Sequence, residues 1–123
     1  MSKYFTFLEL IKTDTGLNNI PVQMDHVENL VLLSQVLDEI RELYGAPIVV
    51  TSAYRDVQVN MAVDGVKNSL HRLGRAADIR PNIYPSNEYY YNFQQLLDVV
   101  KQFEDELDEI IVDPKSRYIH IAI

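Results

Sequence analysis

The chain contains no cysteine and no tryptophan, and only three histidines and four glycines among its 123 residues. Without thiols there is no disulfide, thiolate zinc site or cysteine nucleophile, so any metal must be held by His, Asp or Glu. Basic residues are also scarce. Eleven Lys and Arg against 18 Asp and Glu give a formal charge of −7, which argues against a general nucleic-acid binder, because phosphate contacts need a basic face. No segment is apolar for long enough to span a bilayer. The opening stretch MSKYFTFLEL carries one lysine and then an amphipathic run with Glu9, without the apolar core of a signal peptide. As encoded, the chain is expected to be cytoplasmic.

What is present, 47% hydrophobic residues, suffices for one core and not two, so residues 1–123 are read as a single domain, expected to be a monomer. TFLE, Thr6 to Glu9, has capping-box spacing and predicts a short helix, followed by a loop over 12–19. DHVE, Asp25 to Glu28, offers a second capping signal. Val27, Leu30, Val31, Leu33, Leu37, Ile40 and Tyr44 follow at helical spacing until Gly45, which predicts the main core helix. PIVVTSA, Pro47 to Ala53, reads as a buried strand. Asp56 is placed to cap a brief helix through Val63, and RAADI reads as another strand. After a break marked by Pro81, Pro85 and Ser86, an amphipathic helix is predicted over roughly 87–104, with Tyr90, Phe93, Leu96, Leu97, Val100 and Phe103 inward. The tail LDEIIVDPKSRYIHIAI alternates around Pro114 to Arg117 as a β-hairpin does. Two or three helices against a small, largely antiparallel sheet make an α+β domain.

The stretch SLHRLGRAAD carries the first candidate chemistry. For His71 and Asp78 to converge on a metal, the chain must turn back between them, and Gly74 can take the positive φ such a turn needs. Ala76 and Ala77 let the strand pass close beneath an ion. His120, on the terminal strand, is the natural third ligand, and two His with one carboxylate form a usual catalytic zinc set. The alternative is a histidine held by hydrogen bonds in a purely structural role, and spacing alone leaves it open. His26, in the first turn of the core helix, is expected to be exposed. The tyrosines of EYYY read as packing at a helix start, and the acidic run Glu104 to Glu109 as a solvated helix end.

The residues Ser52 to Ile79, SAYRDVQVNMAVDGVKNSLHRLGRAADI, closely resemble the zinc D-alanyl-D-alanine carboxypeptidase and peptidoglycan endopeptidase family of the hedgehog/DD-peptidase fold. That family's motifs run Ser-Gly-Tyr-Arg, then Asn with Gly-x-x-x-Ser, then Ser-x-His-x-x-Gly-x-Ala-x-Asp. RYIHIAI is similar to its closing aromatic-apolar-His strand, and SKYFTFLEL to the opening of its small single-domain members. The resemblance implies a Zn2+ held by His71, Asp78 and His120, with Arg55 on a substrate carboxylate or carbonyl and Ser69 shaping the cleft. The substrate implied is the peptide stem of bacterial cell wall, cut by a carboxypeptidase or endopeptidase. An endolysin released from the cell, or an enzyme acting on soluble wall fragments, fits an absent signal peptide.

The departures bear on catalysis. Many members have Glu or Asp three residues before the last histidine, where it takes a proton from the attacking water; here that residue is Arg117, which cannot be a base. Tyr118 replaces a common tryptophan and Ala122 a common serine. A four-residue loop from Pro114 to Arg117 pairs Asp113 with Tyr118 and puts Asp113, Tyr118 and His120 on one face together with Glu109 and Ile111, whereas a three-residue loop turns Asp113 away. Asp113 is thus a candidate base or a plain turn aspartate before Pro114, with Glu109 the second acid. If no base survives, the chain is a zinc-containing module that binds wall peptide without cutting it, or a zinc-stabilised structural domain.

Overall fold

The computed structural model describes residues 2–82 and 87–123; the break expected at Pro85 and Ser86 lies outside them. Helix α1 (Phe7–Leu10) opens with the reciprocal capping box: Thr6 Oγ1 accepts from the Glu9 N–H and the Glu9 carboxylate accepts from the Thr6 N–H, both at 3.1 Å. Helix α2 (Met24–Tyr44) buries Leu30, Leu33, Leu37 and Ile40 completely and stops at Gly45, whose φ of 79° is left-handed. The DHVE capping signal is not used. Gln23 is the N-cap and makes no side-chain bond, while Asp25 sits inside the first turn, where its charge faces the positive end of the helix dipole.

Four strands, β1 (Ile48–Ser52), β2 (Ala76–Pro81), β3 (Glu109–Val112) and β4 (Ile119–Ala122), form an antiparallel sheet in the order β1-β2-β4-β3. Strand alternation divides β2 and β4 between two faces. Ala77, Ile79, Ile119 and Ile121 enter the core beneath α2 and α4 (Tyr89–Lys101), while Asp78 and His120 point the other way. The register aligns Ser52, Asp78, His120 and Ile111 in one row across all four strands, with a bulge in β1 between Val50 and Ser52. Such a bulge re-aims the residue after it.

Helix α4 is shorter than its apolar pattern suggests, and its inward face is the expected one except at the start, where Tyr89 takes the place of Tyr90. Tyr89 is 3% exposed and Tyr90 69%, so Tyr89, Phe93, Leu96, Leu97 and Val100 make the buried stripe. The Tyr89 hydroxyl, donating to the Ser116 carbonyl at 2.7 Å, anchors the helix start to the β3–β4 turn. Short helix α3 (Val57–Ala62) is capped as expected, the Val59 N–H donating to Asp56 Oδ1 at 2.8 Å.

His26 is 5% exposed rather than solvated. The Gly74 turn lies directly on its main chain: a Cβ at residue 74 would stand 2.6 Å from the His26 carbonyl oxygen. Tyr54 covers the ring at a centroid distance of 5.8 Å. Gly74 therefore has two reasons to be glycine, a φ of 75° and no room for a side chain. Among the described residues, no helix is long and apolar enough to cross a membrane.

Candidate metal centre

His71 reaches the sheet from a single 3-10 turn (Leu70–Leu73) that Ser69 caps, its hydroxyl accepting from the His71 N–H at 3.2 Å. Asp78 comes from β2 and His120 from the facing position of β4. One ligand atom from each lies within 4.8 Å of the others, the single such group of three or more His, Asp or Glu found among the described residues. Asp78 Oδ1 is the centre, 3.2 Å from His71 Nε2 and 3.0 Å from His120 Nδ1.

Each of the three side chains is also held from behind. His71 Nδ1 lies 2.6 Å from the Ala53 carbonyl, which cannot donate; Nδ1 therefore carries a proton, and in the neutral ring Nε2, the nitrogen facing Asp78, is bare. His120 Nε2 lies 2.8 Å from Glu109 Oε1; when that nitrogen donates to the carboxylate, Nδ1 is bare as well. Asp78 Oδ2 takes Arg55 Nη2 at 3.5 Å. Two bare imidazole nitrogens and a carboxylate oxygen so close together repel one another unless a proton or cation sits between them. The donor set fits a divalent ion with nitrogen and oxygen ligands.

The electrostatics of the metal-free cluster follow from the same contacts. Burial pushes the Asp78 carboxyl up, but hydrogen bonds from His120 and His71 outweigh it and hold it at about 2. Burial pulls the His120 imidazole down, and its bonds to Asp78 and Glu109 reverse that, leaving it above its ordinary value. Asp78 is anionic at any working pH, and His120 is the group that a proton and a metal contest.

Arg55 lies against this cluster. Its Nε donates to Ser52 Oγ at 3.0 Å, Nη1 to Asn60 Oδ1 at 3.4 Å and Nη2 to Asp78. Its side chain is only 17% exposed, unlike a solvated surface arginine. Asp56, the alternative partner, is occupied in capping α3.

Asp113 behaves differently. The register is that of the four-residue loop, with the Asp113 N–H donating to the Tyr118 carbonyl at 3.1 Å, so the strand does offer Asp113 to the His120 face. Its carboxylate nevertheless turns into the loop: Oδ2 accepts from the Lys115 and Arg117 N–H groups and Arg117 Nε, and Oδ1 accepts from Arg117 Nη2 at 2.9 Å. The side chain is 2% exposed. Arg117 holds the Asp113 carboxyl well below the usual carboxylate range, with the backbone donors adding to it. In this arrangement Asp113 is a turn aspartate, and as a base it would first have to leave the four donors its own loop supplies. Glu109 is in contact with His120, and its side chain is 41% exposed.

Some of the supporting residues carry no signal in the sequence. The Ala53 carbonyl that sets the His71 tautomer is main chain. Asn19 is 4% exposed and joins the N-terminal loop to the site: its amide donates to the Ile11 and Tyr54 carbonyls and its oxygen accepts from the Asp56 N–H. It reads as one more polar loop residue until the fold is known.

The family profile described as Peptidase M15 matches residues 3–122. The chain belongs to the Peptidase M15 family. Among solved structures, this M15 chain is similar to the crystal structure of Serratia marcescens L-Ala D-Glu endopeptidase ChiX, with a TM-score of 0.53 and 15% identity over 89% of this chain and 93% of that one. At that identity the likeness is one of fold. No curated protein sequence matches the chain. Membership of a peptidase family whose members are typically metal-dependent agrees with a His-Asp-His group able to hold a metal.

Proposed function

We propose that the chain is a zinc metallopeptidase, a single domain acting as a monomer, that hydrolyses a peptide bond in the stem peptide of bacterial peptidoglycan. The observation that carries this reading is the convergence of two imidazole nitrogens and one carboxylate oxygen, each side chain braced on its far side by a different partner. His71, Asp78 and His120 would hold the ion. When bound, zinc supplies Lewis-acid chemistry, acidifying water and polarising a carbonyl. The wall peptide as substrate is supported by the M15 family and by the likeness to ChiX, an L-Ala D-Glu endopeptidase.

The residues around the ligands take the remaining roles. Arginine has five N–H donors, and three of those of Arg55 go to Ser52, Asn60 and Asp78; the other two hold a carboxylate or carbonyl of the peptide in a planar two-pronged grip. Ser69 acts by shaping the turn that presents His71. Glu109, with one oxygen on the far nitrogen of His120 and a partly exposed side chain, orients the ring and, by swinging off Nε2, accepts the proton of the attacking water in place of Asp113.

The locked Asp113 and the cationic Arg117 favour a second reading, a module that keeps the metal and binds wall peptide without cleaving it. Incubation of the zinc-loaded protein with purified peptidoglycan separates the two. The enzyme releases soluble peptides with new amine termini or free D-alanine, which also tells endopeptidase from carboxypeptidase. The module sediments with the wall and releases nothing.

A further inference from the structure

Asn60 is a buried amide that the roles above leave unused. It is 3% exposed on α3, and each end of its side chain is engaged: Nδ2 donates to the Val66 carbonyl at 2.8 Å and Oδ1 accepts from Arg55 Nη1 at 3.4 Å. The main chain of Gly65 is fastened against the same residue, its N–H donating to the Asn60 carbonyl at 2.8 Å. The left-handed residue of this turn is Asp64, with a φ of 57°, while Gly65 is not among the residues of positive φ. Glycine at 65 therefore answers a need for space rather than for backbone freedom. A Cβ there would stand 1.9 Å from Asn60 Oδ1, 2.7 Å from Asn60 Cγ and 3.2 Å from Arg55 Nη1. Separations below 3 Å from a side chain held at both ends cannot be met without moving it.

We propose that Asn60 and Gly65 are positioning residues for Arg55: the Asn60 amide oxygen holds one prong of the guanidinium, and the missing side chain at 65 is what allows the amide to stand there. Arg55 is then gripped by Ser52 at Nε, Asn60 at Nη1 and Asp78 at Nη2, so that its plane is fixed before substrate arrives. Pre-ordering a rotamer-rich cation in this way lowers the entropy cost of binding a carboxylate. The kinetic consequence rests on the reading of Arg55 as the substrate-holding residue; the immobilisation of Arg55 does not.

The test follows the Arg55 Nε–H resonance by 15N–1H NMR in the parent, Asn60→Ala, Gly65→Ala and the double variant, with thermal midpoints recorded for each. An ordered Arg55 gives a dispersed, slowly exchanging signal in the parent that collapses to the exposed-arginine position in all three variants. On wall peptide the variants raise KM about tenfold or more, the loss expected for one bond to a charged group, and neither single substitution adds to the defect of Arg55→Lys. Asn60→Ala/Gly65→Ala relieves the clash, so its midpoint recovers relative to Gly65→Ala while its KM does not. An Arg55 signal unchanged in Asn60→Ala overturns the proposal, as does activity that returns together with the midpoint in the double variant. Should Gly65→Ala not fold, the Asn60→Ala spectrum decides. If the parent cuts no wall peptide, the functional reading fails and the NMR result still decides whether the grip exists.

Discussion

Asp78 and His120 stand directly opposite each other in the β2–β4 ladder, with His120 Nδ1 3.0 Å from Asp78 Oδ1. Two of the three proposed ligands are thus set by strand register. A slip of one residue in either strand would carry its ligand to the core face, where fully buried Ile79, Ile119 and Ile121 hold the register in place. The third ligand arrives from outside the sheet on the Gly74 turn, so the site joins one rigid element to one loop.

His71→Ala and His120→Ala are each expected to weaken zinc binding by more than the roughly 10–100-fold typical of losing an outer partner, measured by competition with a chromogenic chelator. His26→Ala should leave zinc stoichiometry unchanged, since His26 packs on Tyr54 and the Gly74 turn. Zinc held as tightly by His71→Ala as by the parent would mean a different ligand set.

Zinc affinity should fall with acid, and the fall should begin above the ordinary histidine value of about 6.5. Asp78 and Glu109 raise the His120 pKa against the opposing effect of burial, so a proton competes for that ring at a higher pH than for a free imidazole. Asp78, held at about 2, stays ionised throughout. Glu109→Gln removes part of the raising influence and should move the onset to lower pH. A stoichiometry constant down to about pH 4 would contradict the assignment.

The two acids of the hairpin should separate cleanly. Glu109→Gln is expected to lower turnover by about 10²- to 10⁴-fold, the usual range for a general base, with zinc still bound. Asp113→Asn should cut wall peptide at close to the parental rate yet unfold at a lower temperature. Because the folded Asp113 carboxyl lies below its unfolded value of about 3.9, its stabilisation is complete above that value and is lost as pH falls toward the folded one. The Asn variant should therefore lack part of the acid limb in a plot of thermal midpoint against pH. Loss of activity in Asp113→Asn with Glu109→Gln active would reverse the roles.

Much of the fold was legible because local chemistry and burial agree along most of the chain. The capping box at Thr6, the stop at Gly45, the cap at Asp56 and the alternation in the terminal hairpin all describe what forms. The errors arose where tertiary packing decides. DHVE has cap spacing, but α2 starts earlier. Tyr89 and Tyr90 are chemically identical, and only the helix start fixes which is inside. His26 is buried by a turn nearly fifty residues away. At the site, the motif brought His71, Asp78 and His120 to notice, and strand parity put Asp113 and Glu109 on one face. Parity says nothing of where a carboxylate points after Cβ, and Arg117, beside Asp113 across the four-residue turn, captures it.

The central claim is most directly tested by mass spectrometry of a synthetic wall stem peptide incubated with the zinc-loaded parent, the chelator-treated parent and zinc-supplemented Asp78→Asn. A metal-dependent peptidase working through this cluster gives a new fragment pair with the zinc-loaded parent, nothing after chelation until zinc is restored, and nothing with Asp78→Asn. Equal fragments from the chelated protein or from Asp78→Asn would contradict it, and an intact peptide with a stoichiometrically zinc-loaded parent would leave the binding module as the function of this fold.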